Sequence, residues 1–277
     1  MVNLNGEILS STTSLSNNNR SFLYGDGVFE TLKIVNNKVL FLEEHYFRLV
    51  SSMRIVRMEI PMNFTMEYFE EQILNLVKAT NCSQSCKARI TVFRNDGGLY
   101  SPETNTVSFI IQTNPIENAN YELNQSSYEV ELYKDFLVTK QLLSTIKTTN
   151  KIINVTGSVF AKENDFQNCL LLNTDKNVIE ALNGNIFMLI GNKLITPTLS
   201  EGCLNGIMRK QILKIAKKIE NIEVIEGVIS PFDLQKADEL FITNVIVGIQ
   251  PITKYRKKEF TSNLAIELNK KLNELIQ

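Results

Sequence analysis

Lys147 has the clearest setting in this sequence for nucleophilic chemistry. It follows an apolar stretch that includes Leu142 and Leu143, and small polar residues lie between it and a helix predicted at about 150–163. A lysine there can point into a cleft, where burial lowers the pKa of the amine and favours Schiff-base formation with a carbonyl. By itself the pattern is weak, because most lysines near the start of a helix are solvated.

Two other segments contain groups that suit a phosphate. Arg48 lies one turn after His45 on a helix predicted at about 43–58, and a guanidinium matches the geometry of a phosphate. Gly206 precedes an amphipathic helix whose first residues are Ile207 and Met208. Backbone N–H groups at the start of a helix have no partner within the helix and bind anions. Each pattern also occurs on ordinary helices.

The elements around these residues predict an α/β (α+β) chain of two domains. Hydrophobic periodicity indicates alternating strands and helices in both halves, and the polar segment 114–122 between them reads as a linker. We therefore expect an N-terminal α/β domain at 1–113 and a C-terminal α/β domain at 123–277 that carries Lys147. A hairpin is predicted around 36–38 and an acidic residue, Glu180, follows a predicted strand.

Composition argues against several classes of function. The 277 residues include 29 basic and 30 acidic residues, with 43% hydrophobic residues and no basic block, so nucleic acid is not expected as a partner. A single histidine and four scattered cysteines give no metal-ligand pattern, and we expect no metal. No apolar run approaches a membrane span and no leader pattern is visible, which favours the cytoplasm and no membrane partner.

Taken together, the segments resemble the class IV aminotransferase family, the fold-type IV enzymes of pyridoxal 5′-phosphate (PLP), with a D-amino-acid aminotransferase-like architecture. Six elements occur in the order typical of that family: Tyr24-Gly25-Asp26-Gly27-Val28-Phe29-Glu30, His45-x-x-Arg48-Leu49, Lys147, Glu180 with Asn185-Ile186-Phe187, Gly206-Ile207-Met208-Arg209, and Ala237-Asp238-Glu239 through Asn244. The resemblance as a whole covers residues 1 to about 255.

The resemblance implies a role for each of these positions. Lys147 would bind PLP as a Schiff base and then move the proton at the substrate Cα. Glu180 would pair with the pyridine nitrogen, which keeps the ring electron-withdrawing. Arg48, the backbone N–H groups of Ile207 and Met208, and Asn244 or its neighbouring backbone would hold the phosphate. Asn244 is a departure, since many transaminases of the family have Ser or Thr nearby.

The same resemblance implies a small, amino-acid-like substrate and a homodimer with a shared active site, closed by the partner's loop around 94–102. The residues that bind the substrate would be Phe29, Lys87, Arg89 and Arg94. We expect more than one anionic group on the substrate, because three of these residues are basic. Lys87 and Arg89 should share a face of their strand, with Arg94 past its end.

Three subfamilies give different reactions. The D-amino-acid transaminases have an Arg-x-His pair that is missing here, and the branched-chain aminotransferases have tyrosines where this chain has Lys87 and Ile152. The 4-amino-4-deoxychorismate lyases match best, through Lys147-Thr148-Thr149-Asn150-Lys151, Arg94-Asn95-Asp96-Gly97-Gly98 and Asn244, although some carry Thr at the position of Glu30. We therefore expect a lyase of folate biosynthesis that releases pyruvate, with a branched-chain-type transaminase and an inactive PLP-binding protein as alternatives.

Overall fold

The protein consists of two compact units, both built from helices and a β-sheet. A computed structural model describes residues 1–10, 15–82, 84–124 and 126–276. The first unit comprises Met1–Ala119 with Ile146–Asn150, and the second comprises Asn120–Thr145 with Lys151–Gln277. Two α/β units are what the alternation of predicted elements indicated.

The first unit is organised around a six-stranded antiparallel sheet in the order β2-β1-β6-β5-β3-β4. Its strands are β1 (Val2–Leu4), β2 (Glu7–Leu9), β3 (Gly27–Val35), β4 (Lys38–Val39), β5 (Ser85–Arg94) and β6 (Val107–Pro115). The predicted hairpin is confirmed: Ile34 pairs with Val39 across a turn in which Asn36 and Asn37 have φ of 50° and 60°. Asparagine tolerates this left-handed conformation better than most residues.

Two helices, α2 (Leu42–Ile55) and α3 (Met66–Ala79), pack on one face of this sheet, and a short helix, α1 (Arg20–Tyr24), precedes β3. Alternate residues of β3, among them Val28 and Leu32, pack with Leu49 and Met53 of α2 in one apolar core. Sequence analysis predicted α2 at about 43–58 but not α1, because five residues are too few to show helical periodicity.

The second unit contains a ten-stranded mixed sheet. Its strands are β7 (Glu129–Val138), β8 (Asn168–Asn173), β9 (Val178–Ala181), β10 (Gly184–Ile190), β11 (Lys193–Pro197), β12 (Glu223–Gly227), β13 (Glu239–Asn244), β14 (Gly248–Ile252), β15 (Lys254–Tyr255) and β16 (Lys258–Glu259). The main path runs β12-β11-β10-β9-β8-β7-β15-β16, and β13 pairs with both β10 and β14. The ends of β9, β10 and β13 thereby become neighbours.

Three helices belong to this second unit: α4 (Ile152–Glu163), α5 (Ile207–Ala216) and α6 (Asn263–Ile276). The first turn of α6 is capped from the sheet, where the buried Glu239 accepts the backbone N–H groups of Leu264 and Ala265 at 2.9 and 3.2 Å. Sequence analysis predicted α4 at about 150–163, and it placed the start of α5 after Gly206. On α6, Lys271 Nζ lies 3.9 Å from Glu267 Oε1, an ion pair between residues one helical turn apart.

The segment around Lys147 differs from the domain boundaries that we expected. Sequence analysis placed Lys147 in a domain spanning 123–277, whereas Ile146–Asn150 groups with the first unit. The physical reason is a short antiparallel bridge to the start of β3. The Phe29 N–H donates to the Lys147 carbonyl at 2.8 Å, and the Thr149 N–H donates to the Gly27 carbonyl at 2.9 Å. The boundary itself falls after Ala119, inside the expected 114–122 linker.

Across the described ranges, no helix combines the length and the apolar character that crossing a membrane requires.

Candidate active site

Phe29 is the centre of a cluster of cations in the first unit. Its ring is 4.5 Å from Lys147 Nζ and 3.6 Å from the Arg89 guanidinium carbon, measured to the ring centroid. Both approaches fall within the range of cation–π attraction. The ring itself is only 6% exposed, so it serves as a rigid apolar support for the two longer side chains. The structure therefore brings together Phe29, Arg89 and Lys147, three of the residues that the sequence singled out.

Lys87 and Arg89 lie on the same face of β5, as period-two alternation predicted. Both are partly buried, whereas Ala88 and Ile90 between and beside them point into the core. Phe29 belongs to this same face, since it pairs with Thr91 in the neighbouring strand. Burial lowers the pKa of Arg89, but a guanidinium remains charged at any physiological pH. This face thus presents cations for an anionic ligand.

Arg94 does not join them, and the structure corrects our expectation of its position on the strand. It belongs to β5 rather than lying past its end, and its side chain is buried. All three of its nitrogens donate within the protein. Nε donates to Asp26 Oδ2 at 2.9 Å, Nη2 to the Val56 carbonyl at 2.7 Å, and Nη1 to Arg57 and Asn105. The guanidinium is committed to these structural bonds, so it has little left to offer a substrate.

Arg48 forms a buried network with Glu30 and His45. Its Nε donates to Glu30 Oε1 and its Nη2 to Glu30 Oε2, both at 2.6 Å. His45 Nδ1 lies 2.7 Å from Glu30 Oε2. His45 and Glu30 are 0% and 1% exposed, and Arg48 is 9% exposed. The sequence identified Arg48 and His45 but gave Glu30 no role; the alternation along β3, which turns Glu30 toward α2, was the available signal.

The charges of this network follow from its contacts. Burial alone would raise the pKa of Glu30, but the charge and hydrogen bonds of Arg48, with the His45 bond, lower it to about 2. Burial lowers the pKa of His45, and the bond to Glu30 only partly opposes this. Glu30 is therefore ionised and His45 neutral near pH 7. Because an ionised carboxylate only accepts, His45 carries its proton on Nδ1.

In the second unit, Glu180 and Asn185 hold the chain just before α5. The Leu204 N–H donates to Glu180 Oε2 at 2.8 Å, and Asn185 Nδ2 donates to the Leu204 carbonyl at 2.8 Å. Glu180 and Asn185 face each other across β9 and β10. One carboxylate oxygen of Glu180 thus fixes the entry to the helix. The sequence gave Asn185 no separate role.

The start of α5 has the features of an anion site. Gly206 is the N-cap, and no side chain of the described residues caps the helix that Ile207 and Met208 begin. The backbone here is tightly enclosed, because a Cβ at Gly206 would lie 1.9 Å from Asn185 Oδ1. Only glycine fits this close approach. N–H groups of an uncapped first turn are suited to phosphate oxygens.

Asn244 lies at the end of β13, where Thr243 pairs with Asn185. Its Oδ1 accepts the N–H groups of Ile246 and Val247 at 3.0 Å, so the side chain orders the following turn. The neighbouring Thr243 hydroxyl is buried, and among the described residues it has no hydrogen-bond partner. This orphaned hydroxyl is a polar group that a bound phosphate or its water shell could satisfy.

Each of the two units contains groups that suit PLP. The first unit holds an amine on an apolar ring, at Lys147 and Phe29, together with the Arg48 guanidinium. The second holds the Glu180 carboxylate and the uncapped α5 turn at Gly206. No group of His, Cys, Asp or Glu within the described part of the chain has the spacing of a metal site.

Comparison with known proteins gives the family. The model of class IV aminotransferases matches residues 27–255. A relative from Methanocaldococcus jannaschii, assigned as a branched-chain-amino-acid aminotransferase, is 28% identical over 276 residues, covering 99% of this chain and 94% of the relative. An aminodeoxychorismate lyase of Vibrio harveyi is 25% identical over 236 residues, with 84% of each chain covered. A branched-chain aminotransferase structure from Thermoproteus uzoniensis superposes with a TM-score of 0.88 at 22% identity, covering 99% and 94%.

The fold and the family match together define a fold-type IV enzyme that depends on PLP. The chain belongs to the class IV aminotransferase family. Its relatives include both transaminases and a lyase, so the family assignment fixes the cofactor and the general chemistry at an amine-bearing carbon.

Proposed function

We propose that this chain is a lyase of the 4-amino-4-deoxychorismate type, with Lys147 as the residue that carries PLP. The observation that carries the proposal is the position of the Lys147 amine against Phe29, on the sheet face that also presents Arg89. Sequence features favour the lyase: Asn150 and a basic residue follow Lys147, and Asn244 ends β13. Ile152 stands where the branched-chain transaminases have a tyrosine, and it is 63% exposed.

PLP, when bound, supplies the electron sink that makes the hydrogen on the amine-bearing carbon acidic. Glu180, whose Oε2 accepts the Leu204 N–H, would hold the proton on the pyridine nitrogen. Arg48, the α5 turn at Ile207 and Met208, and the backbone near Asn244 would hold the phosphate.

The Lys147 amine would act as the general base and acid. It removes the proton from the amine-bearing ring carbon of the substrate, and a proton is then delivered to the methylene carbon of the departing enolpyruvyl group. The ring loses one C–H and one C–O bond and becomes aromatic. Products are 4-aminobenzoate and pyruvate, so no oxidant and no second substrate are needed.

Arg89 and Lys87 would bind the carboxylates of this substrate. A guanidinium stacked on Phe29 has its orientation fixed, and it offers paired N–H donors to a carboxylate. Lys87, two residues earlier on the same face, adds a second cation. A dianionic substrate therefore suits this face better than an aliphatic amino acid with one carboxylate.

A branched-chain-type transaminase is the second candidate. The observation in its favour is the similarity to the Methanocaldococcus jannaschii relative over nearly the whole chain. Arg89 also occupies the position of the arginine in the Tyr-x-Arg element of that subfamily. An inactive PLP-binding protein is the third alternative.

We further propose a homodimer, in which the loop around 94–102 contributes to the partner's active site. In this loop Gly97 and Gly98 have φ of 115° and 74°. Next to them Leu99 and Tyr100 are 76% and 90% exposed. Apolar side chains exposed to this extent indicate a contact surface. A strictly monomeric active species in sedimentation would contradict this assembly.

The four cysteines are free and buried, which suits a reducing, cytoplasmic compartment.

One preparation assayed in two ways distinguishes the reactions. With 4-amino-4-deoxychorismate we expect pyruvate release, and with leucine plus 2-oxoglutarate we expect no glutamate. Lys147→Ala should abolish turnover, whereas Lys140→Ala, which loses only the exposed bond to Asp175 and the contact with Glu201, should retain it. Fast transamination without pyruvate release would reject the lyase. A protein that takes up no PLP would reject the catalytic proposal as a whole.

A further inference from the structure

We propose that Glu30 is a positioning residue: braced by His45, it holds the Arg48 guanidinium in the orientation that receives the phosphate of PLP. This inference rests on the proposed phosphate role of Arg48. It assigns to Glu30, which lies on the helix-facing side of β3, a function in cofactor binding without any contact with the cofactor.

The geometry fixes the plane of the guanidinium. Two parallel bonds of 2.6 Å, from Nε to Oε1 and from Nη2 to Oε2, occupy one edge of Arg48. A paired contact of this kind removes rotation about the last side-chain torsions. The opposite edge, which includes Nη1, then faces away from Glu30. Its direction is set by the carboxylate rather than by the flexible arginine side chain.

The carboxylate is itself held in place from two sides. Its backbone lies in the central part of β3, where Glu30 pairs with Ile90 of β5. Its Oε2 also accepts the Nδ1–H of His45, at 2.7 Å. The other imidazole nitrogen, Nε2, is buried with no hydrogen-bond partner in the described ranges. His45 therefore contributes one directional hydrogen bond and no charge, and this bond restricts the orientation of the Glu30 carboxylate.

If charge alone determined phosphate binding, a neutral residue at position 30 would be more favourable than the ionised Glu30. An ionised Glu30 cancels the charge of Arg48, so the pair carries no net charge that would attract a phosphate. Long-range attraction is weakened, and what the pair retains is directional N–H donation. Orientation and charge thus predict opposite effects when Glu30 is neutralised, which makes the inference testable.

The test uses apoenzyme and three probes: PLP, pyridoxal, which lacks the phosphate, and inorganic phosphate. Glu30→Gln removes the charge but keeps the length of the side chain. Glu30→Asp keeps the charge and withdraws the carboxylate by one methylene, so it retains a buried ion pair even if the Gln variant does not fold. Both should weaken PLP binding by about tenfold or more, through loss of a charge-assisted bond, and leave pyridoxal binding within about twofold.

Asp26→Asn is the matched control, because Asp26 is a carboxylate of the same unit that pairs with two arginines, Arg20 and Arg94. It should lower stability without changing the ratio of PLP to pyridoxal affinity. His45 gives a readout that needs no variant, because it is the single histidine of the chain. Its imidazole ¹⁵N resonances should report the Nδ1–H tautomer and shift with PLP and inorganic phosphate, but not with pyridoxal.

Three results would overturn the inference. Tighter PLP binding by Glu30→Gln would mean that Glu30 only neutralises charge. Equal losses for PLP and pyridoxal would mean a general structural role. Unchanged PLP binding in both variants, with wild-type enzyme still loaded on Lys147, would reject the positioning role while leaving the proposed function intact. Failure of the wild-type chain to bind PLP would instead reject the proposed function.

Discussion

Lys147 is tied to Phe29 twice, through the backbone and through the side chain. The Phe29 N–H donates to the Lys147 carbonyl at 2.8 Å, and the Lys147 amine lies 4.5 Å from the centroid of the Phe29 ring. The backbone bond therefore fixes the position of the Lys147 main chain, and the contact with the ring fixes the position of its amine. Arg89 reaches the same ring at 3.6 Å. A single strand, β3, thus aligns the proposed base with the cation proposed to bind substrate.

Substitution by lysine should affect KM at Arg89 and stability at Arg94. Arg89→Lys removes the planar fork from the open face, so KM should rise by about tenfold or more with little loss of stability. Arg94→Lys removes donors to buried carbonyls, so it should cost about 2 kcal/mol of unfolding free energy with KM unchanged. Steady-state kinetics and urea unfolding of both variants measure this. A raised KM in the Arg94 variant would restore it as a substrate residue.

Glu180→Gln should retain the fold and most of the PLP, because the carboxamide oxygen can still accept the Leu204 N–H. It cannot hold a proton on the pyridine nitrogen, so proton removal from the substrate should slow by about a hundredfold, equivalent to about 2.7 kcal/mol. Single-turnover rates on fully loaded enzyme give the comparison. Glu223→Gln, at an exposed carboxylate, is the control. Equal rates in the Glu180 and control variants would refute the pairing.

Gly206→Ala should disturb the α5 turn, because the added Cβ would meet Asn185 Oδ1 at 1.9 Å. Either the helix start or the Asn185 amide must move, and we expect PLP affinity to fall by about tenfold with a destabilisation of about 1–3 kcal/mol. Gly227→Ala is matched to it, since its Cβ would meet only Ile225 Cγ2 at 3.4 Å. Cofactor titration of the two apoenzymes checks the expectation, and identical affinities would show that the turn does not hold the phosphate.

The Glu30–His45 pair should make the protein sensitive to acid. Both groups have a lowered pKa in the folded state, so both contribute stability at neutral pH that is lost on acidification. The His45 contribution is complete above its ordinary pKa of 6.5 and declines below it, and that of Glu30 declines from 4.5 toward about 2. His45→Gln should flatten the fall in unfolding free energy just below pH 6.5. The same slope in variant and wild type would contradict this.

The sequence predicted most of the fold, and it identified those residues of the candidate site that lie in local motifs of the chain. Periodicity located the main helices, and the Lys147 and Gly206 motifs could be found because each lies within a few neighbouring residues. The Glu30–Arg48 pair was not predicted, because it depends on how a helix packs on a strand. The hydrogen bonds of Arg94 were not predicted for the same reason. Its role depends on carbonyls at Val56 and Arg57, and no spacing in the sequence indicates that contact.

The central claim is that PLP is carried on Lys147, and borohydride reduction of the holoenzyme tests it most directly. Reduction fixes the cofactor to its lysine, and peptide mapping by mass spectrometry then locates the pyridoxyl group. We predict that the added mass lies on Lys147 in the wild-type chain and that Lys147→Ala carries none. Finding the group on Lys140 or Lys151, or finding it retained in Lys147→Ala, would contradict the assignment.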